Sequence, residues 1–120
     1  MDRLLSRKEY LAVAKGRRLG RPSFLLQALE RSAEGPPRFG FTVTRKIGNA
    51  VVRNRVRRRL KEAVRLIGRS AARPGTDYVL VGRPAALDRS FDRILADLAG
   101  ALAELGARAT TSPPETARQG

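Results

Sequence analysis

The first stretch of the chain has the pattern of a short, capped helix. An S-x-x-E capping box opens at Ser6, in which the serine and glutamate side chains can each accept from the other's backbone N–H. The helix is predicted over 7–15, and Gly16 follows it as a stop. Leu5 and Tyr10 occupy the positions of a hydrophobic staple across the start of this helix.

Two further helices are indicated by apolar residues that recur every three or four positions. The longer one is predicted over 50–69 and opens after Gly48 and Asn49. The last is predicted over 91–105 and ends at Gly106. The apolar stripes are Val52, Val56, Leu60, Ala63 and Ile67 in the longer helix and Ile94, Leu95, Leu98, Leu102 and Leu105 in the last.

Three segments are predicted to be β-strands. Residues 23–29 and 77–81 are largely apolar runs, whereas residues 38–44 alternate between two faces. The turn pattern at 34–37 separates the first two strands and favours their pairing as an antiparallel hairpin. The alternating positions assigned to the core are Phe39, Phe41 and Val43.

The elements follow one another in the order α-β-β-α-β-α. This mixed order predicts an α+β fold, a two-layer α/β sandwich in which helices cover one face of a sheet. Residues 1–106 are predicted to form a single domain. Residues 107–120 are polar and contain proline, so we expect them to be a disordered tail.

Composition excludes several classes of protein. No apolar run reaches the roughly 18 residues of a membrane span, and residues 1–10 lack the apolar centre of a secretion signal. The chain has no cysteine and no histidine, so thiolate ligands and the commonest general acid–base group are absent. Its carboxylates are not clustered as in a metal site. We expect a cytoplasmic protein with no membrane partner, no catalytic residue and no metal of its own.

Charge is the strongest indication of function. Lys and Arg number 25 against 11 Asp and Glu, which gives a net charge of +14 at pH 7. Residues 1–75 hold 20 basic and 5 acidic side chains, whereas residues 76–120 hold 5 and 6. Between residues 45 and 61 there are eight basic side chains and no acidic one. Because like charges this dense on one helix repel each other, we expect a polyanion such as RNA as the partner.

The same segment carries a motif. The run K-I-G-N-A-V-x-R-N-R-x-[KR]-R begins at Lys46 and ends at Arg58. This run resembles the signature of the bacterial ribonuclease P protein subunit. Residues 38–44 and 77–81 resemble the central and last strands of that family, so the resemblance covers about residues 4–105.

The resemblance implies a fold and a function that the residue pattern alone does not give. It implies an unusual left-handed β-α-β crossover, where general rules favour the right hand. It also implies the accessory subunit of an endoribonuclease whose catalyst is a large RNA, which removes the 5′ leader from precursor tRNA with Mg²⁺ bound mainly by RNA. The protein would bind that RNA and hold the leader in a groove between the sheet and the first helix. No cofactor of its own and no protein partner is implied.

The family resemblance implies two groups of site residues, and the charge pattern supports the first of them. The residues expected to contact the catalytic RNA are Arg45, Lys46, Arg53, Asn54, Arg55, Arg57, Arg58, Arg59 and Lys61. The residues expected in the leader groove are Tyr10, Lys15, Gln27, Thr42 and Thr44. Thr42 and Thr44 also fit ordinary strand positions, and Thr42 is the better candidate for the groove. Tyr10 keeps two interpretations, a ring on which a leader base stacks or a staple residue on Leu5. Ala14 replaces a second aromatic of the family and Gln27 stands at a polar or aromatic position, which thins the stacking platform.

Other functions fit parts of the sequence. A ribosomal or other structured-RNA assembly protein would share the composition, and only the motif at 46–58 distinguishes it. A DNA-binding protein that uses residues 52–69 as a recognition helix would need a preceding helix, whereas strands precede this one. A self-sufficient nuclease would need acid–base groups or metal ligands that the chain does not supply.

Overall fold

The structure is a computed structural model, and it describes residues 2–3, 6–32 and 34–111. A π-helical turn over Val64–Gly68 joins the second helix to the third, and 3₁₀ turns over Arg45–Ile47 and Pro84–Leu87 precede the second and the last helix. The elements make the α+β fold that the sequence predicts. In chain order they are β1 (Asp2–Arg3), α1 (Arg7–Ala14), β2 (Arg17–Arg21), β3 (Phe24–Glu30), β4 (Arg38–Thr42), α2 (Ala50–Ala63), α3 (Arg69–Ala71), β5 (Thr76–Gly82) and α4 (Phe91–Thr111).

The described residues form a five-stranded sheet in the order β1-β4-β5-β3-β2. β5 is the central strand and pairs in parallel with β4 and antiparallel with β3. Because β4 and β5 are parallel neighbours, the chain between them must cross the sheet, and α2 is that crossing. The β-α-β unit implied by the resemblance is therefore present, and its left hand stays a prediction.

The predicted antiparallel hairpin between residues 23–29 and 38–44 is wrong. β3 and β4 are not neighbours, because β5 lies between them. β5 is buried along nearly its whole length, which favours the centre of the sheet. β3 instead forms a hairpin with β2, a strand that the sequence analysis missed because three of its five residues are arginine.

The two faces of the sheet are covered differently. α2 and α4 pack on one face and enclose the main core, as the sequence predicts. α1 packs on the other face, where Val13 and Val79 form a smaller buried cluster. The second face, which the sequence analysis left without a helix on pattern alone, is therefore partly covered. The main core includes Phe24, Leu26, Ala28, Phe39, Tyr78 and Leu80 of the sheet and Val56, Leu60, Ala63, Ile94, Leu98 and Leu102 of the helices.

The capped start of α1 is confirmed. Ser6 Oγ accepts from the backbone N–H of Glu9, and Glu9 Oε1 accepts from that of Ser6, both at 3.1 Å. The backbone of Gly16 is not in the left-handed region, so this glycine does not act through a positive φ. A Cβ at Gly16 would lie 2.2 Å from the carbonyl oxygen of Ala28, so a close approach to β3 requires the glycine.

Both long helices run beyond their predicted ends. The helical run that starts at Ala50 continues through the π-helical turn to Ala71, two residues past the predicted end. α4 passes through Gly106 to Thr111, because Gly106 keeps a negative φ and so does not form a left-handed stop. Residues 107–111 are thus helical, and residues 112–120 of the predicted tail lie outside the described residues.

A buried carboxylate joins several elements. The side chain of Asp77 in β5 is 6% exposed and accepts from Arg38 Nε and Nη2 of β4 at 2.8 and 2.7 Å. It also accepts from Arg31 Nη1, in the loop after β3, at 2.6 Å. Arg38 in turn pairs with Glu9 of α1 at 3.0 Å. The hydrogen bond to Asp77 is the main cause that raises the pKa of the Arg38 guanidinium. The network therefore ties α1, β4 and β5 together.

We predict that Asp77→Ala lowers the free energy of unfolding by about 2 kcal/mol, because two guanidinium groups lose a charged hydrogen-bond partner. Urea unfolding followed by circular dichroism measures the change. Asp88→Ala removes the same charge from an exposed position and should leave stability nearly unchanged. Equal stability of the two variants would contradict a structural role for the network.

Candidate nucleic-acid interface

The first part of the motif determines where α2 begins. Asn49 Oδ1 accepts from the backbone N–H of Val52 at 3.0 Å, which caps the helix. A Cβ at Gly48 would lie 3.0 Å from Val52 Cβ, so the cap and the helix approach each other closely. Arg45 and Lys46 are exposed on the 3₁₀ turn just before the cap. Two cations therefore lie next to the positive end of the α2 dipole.

The remainder of the motif lies along α2. Val56, Leu60 and Ala63 are buried against the sheet, as the apolar stripe predicts. The predicted RNA-contact residues of α2 point away from the core or lie at its border. Asn54, Arg55, Arg58 and Lys61 are exposed, and Arg53, Arg57 and Arg59 are half-buried.

The acidic side chains that form ion pairs do so with arginines outside the motif. Within the described residues, none of the cations between 45 and 61 forms an ion pair. On α2 itself, Glu62 accepts from Arg65 Nε and Nη2 at 2.9 and 2.6 Å, and this hydrogen bonding lowers the pKa of Glu62. The positive charge of the motif is therefore not neutralised by the protein. The ion pairs are Arg21–Glu104, Arg31–Asp77, Arg38–Glu9, Arg38–Asp77, Arg65–Glu62, Arg73–Glu30 and Arg89–Asp97.

Some of the predicted contact residues also take part in the fold. Arg59 Nη1 donates to the carbonyl oxygens of Ala86 and Leu87 at 2.5 and 3.2 Å, so this guanidinium holds the turn after β5 against α2. Lys61 Nζ lies 6.0 Å from the ring centroid of Phe41, at the limit of a cation–π contact. Arg53 Nε is buried without a hydrogen-bond partner among the described residues. Among the predicted RNA-contact residues, Arg59 is thus the one whose side chain contributes most to the fold.

Two shallow depressions mark the outer side of α2, and Arg58 lines both of them. The first has a volume of about 450 Å³ and is lined by Val51, Asn54, Arg57, Arg58 and Lys61. The second has a volume of about 320 Å³ and is lined by Arg55, Arg58, Arg59, Glu62 and Phe91. We call the residues of the motif that line them, Asn54, Arg55, Arg57, Arg58, Arg59 and Lys61, the α2 basic surface. The structure thus brings together six of the predicted contacts, whereas Arg45, Lys46 and Arg53 lie outside both depressions.

Tyr10 is held against β4 on the other face of the sheet. Its hydroxyl accepts from the backbone N–H of Phe41 at 3.2 Å. A Cβ at Gly40 would lie 2.6 Å from the Tyr10 ring, so the ring lies directly on the glycine. Tyr10 also packs at the border of the Val13 and Val79 cluster and is half-buried. The alternative staple contact involves Leu5, which lies outside the described residues.

Of the other predicted groove residues, Gln27 and Thr42 lie on the same side of the sheet as α1. Gln27 is opposite Val79 and Thr42 is opposite Val81 in the pairing with β5, and both side chains are half-buried. Lys15 and Thr44 are exposed, just after α1 and just after β4. α2 packs on the opposite face, so the structure divides the predicted site into two surfaces.

Two apolar residues line the depressions although the sequence pattern did not assign them to the site. Val51 is 69% exposed next to Asn54, although the apolar stripe of α2 passes through its neighbour Val52. Phe91 is the first residue of α4 and lines the second depression. A phenylalanine at a helix start fits a core position equally well, so the sequence carries no signal for its place beside α2.

Two features of other protein classes are missing from the part of the chain that the structure describes. None of its helices combines the length and the apolar character needed to cross a membrane. In the same residues, Asp, Glu, His and Cys side chains do not gather in groups of three or more that could hold a metal ion.

The fold is similar to solved structures of ribonuclease P proteins. The protein from Thermotoga maritima superposes with a TM-score of 0.74 at 24% sequence identity, over 87% of this chain and 97% of that one. The Staphylococcus aureus RNase P protein superposes with a TM-score of 0.71 at 21% identity, over 88% and 95%. At these identities the similarity establishes the fold.

Sequence comparison establishes the family. The ribonuclease P protein component of Gluconacetobacter diazotrophicus is 50% identical over 107 residues, which cover 88% of this chain and 92% of that protein. The corresponding protein of Ruegeria pomeroyi is 49% identical over 108 residues, which cover 87% and 86%. The family model for ribonuclease P matches residues 1–106. The chain therefore belongs to the ribonuclease P family, as a protein component of that enzyme.

Proposed function

We propose that the α2 basic surface binds the catalytic RNA of ribonuclease P and that the α1 side of the sheet holds the 5′ leader of precursor tRNA. The separation of charge is the observation that supports the first part. The carboxylates in the ion pairs of the described residues bind arginines outside the motif, and RNA phosphates would supply the negative charge that the motif lacks. The alternative of a ribosomal or other RNA assembly protein is not favoured, because the family match covers residues 1–106.

The α2 basic surface is suited to phosphate contacts more than to reading bases. An arginine guanidinium group can bind phosphate through two parallel hydrogen bonds. Arg55 and Arg58 are exposed, so their guanidinium groups are accessible to a phosphate. The helix start adds a further attraction for phosphate near Arg45 and Lys46. RNA helices are recognised mainly through backbone and shape, which a cationic helix face complements. We therefore expect the surface to position the protein on folded RNA.

The α1 side of the sheet is suited to a single strand. The sheet surface beside Tyr10 is partly open to solvent on this side. Its half-buried residues are Leu25, Gln27, Thr42 and Val81. Single-stranded nucleic acid binds such open surfaces by stacking its bases on aromatic rings and placing its phosphates near cations. With Ala14 in place of a second aromatic, we expect weaker stacking of the leader.

We assign the cleavage chemistry to the RNA, with Mg²⁺ bound mainly by RNA. The chain has no histidine and no cysteine, and arginine guanidinium groups already bind the carboxylates of the ion pairs. Mg²⁺ prefers oxygen ligands and retains water, and RNA phosphates provide such ligands. We place the protein in the cytoplasm with this RNA, and propose no protein partner.

The proposal predicts that the protein restores leader cleavage by a bacterial ribonuclease P RNA at low magnesium, where the RNA alone is nearly inactive. Neutralising RNA repulsion and holding the leader are the two physical reasons. The rate of leader release from labelled precursor tRNA measures the effect, with an unrelated protein of equal charge as the control. Rescue by the control to the same extent would contradict a specific subunit role.

Arg58→Glu should weaken binding of that RNA by about tenfold or more, because it replaces an attraction in both depressions with a repulsion. Fluorescence anisotropy of labelled RNA measures the dissociation constant. Arg93→Glu makes the same charge change at an exposed position of α4 that lines neither depression. If both variants lose affinity equally, net charge rather than the α2 basic surface governs binding.

A further inference from the structure

We infer that the second depression, between α2 and the start of α4, holds one unpaired nucleotide of the bound RNA. Its base would lie against the ring of Phe91, and its phosphate would lie on Arg55 and Arg58. The inference rests on the proposed RNA-binding function and deepens it, because it adds a nucleotide pocket to a surface otherwise suited to backbone phosphates.

Fixed contacts place Phe91 beside α2. The bonds from Arg59 to the carbonyl oxygens in the turn over 84–87 hold that turn against α2. Arg89, just after the turn, binds both carboxylate oxygens of Asp97 on α4, at 2.6 and 3.2 Å. Phe91 lies between Arg89 and Asp97 in sequence and packs against the main core. The start of α4, with the Phe91 ring, is therefore already in place before any ligand binds, which lowers the entropic cost of binding.

The depression is cationic despite an acidic residue in its lining. Arg55 and Arg58 are exposed, and neither forms an ion pair among the described residues. Glu62 is the acidic member of the lining, and its two carboxylate oxygens accept from Arg65. Glu62 is thus charge-compensated from outside the depression, and the two free arginines determine its attraction for a phosphate.

The size and the aromatic ring favour a single nucleotide over a duplex. A volume of about 320 Å³ lies at the small end of the range for ligand sites. Bases in a duplex are stacked on one another, whereas unpaired bases are free to stack on aromatic rings and guanidinium planes. Phe91 is the aromatic residue among those that line the two depressions.

The absence of tryptophan from the chain makes a direct test possible. Phe91→Trp introduces one fluorophore, and stacking of a base on the indole quenches its emission. We expect ribonuclease P RNA to remove most of this emission and inorganic polyphosphate, which has charge but no bases, to leave it nearly unchanged. Leu11→Trp, at a 51% exposed position of α1, serves as the control for non-specific quenching.

A second variant keeps the test independent of the indole. Phe91→Leu keeps an apolar side chain without a ring and should weaken RNA binding about fivefold or more. Because no charge changes, the dependence of affinity on salt should keep its slope. The melting temperature of the variant shows whether the core remains intact.

Three results would overturn the inference. They are equal quenching by RNA and polyphosphate, no quenching at saturating RNA, and unchanged RNA affinity of a folded Phe91→Leu protein. In each of these cases anisotropy still reports normal binding of RNA to the wild-type protein, so the proposed function stands. If the wild-type protein does not bind the RNA at all, the proposed function fails together with the pocket.

Discussion

The parallel pairing of β4 with β5 is the constraint on which the rest of the structure depends. In its register Arg38 lies opposite Asp77, and their partly buried ion pair stabilises that alignment. Parallel neighbours cannot be joined by a tight turn, so the chain must cross one face of the sheet as a helix. That helix is α2, and it buries Val56 and Leu60 on the sheet. Its opposite side then faces solvent, and there the motif presents its cations.

The distribution of charge follows from this arrangement. Ion pairs such as Arg89–Asp97 and Arg21–Glu104 connect elements of the fold, and each uses a carboxylate away from the motif. The exposed arginines of α2 are left to repel one another, at a cost to the isolated protein. A bound polyanion removes that repulsion, so the same feature that destabilises the free protein favours its complex.

Local sequence patterns could predict local structure, but they could not predict which strands pair or which distant side chains come into contact. The Ser6 capping box and the apolar stripe of α2 depend on residues a few positions apart, and both are confirmed. The hairpin between β3 and β4 is wrong because alternation identifies a strand without identifying its neighbour. The residues of the α2 basic surface were predicted because the motif at 46–58 resembles the signature of the ribonuclease P protein family. The position of Phe91 beside α2 depends on the long-range bond from Arg59 to the turn over 84–87, which no short pattern encodes.

The dependence of RNA affinity on salt tests the central claim, that the uncompensated cations of α2 bind the RNA. If about six phosphates are neutralised, affinity should fall by roughly three orders of magnitude between about 50 and 200 mM salt. Arg58→Ala should reduce the slope of log affinity against log salt by about one, whereas Arg65→Ala, which removes a cation already paired with Glu62, should leave it nearly unchanged. Equal changes in slope for the two variants would contradict the account.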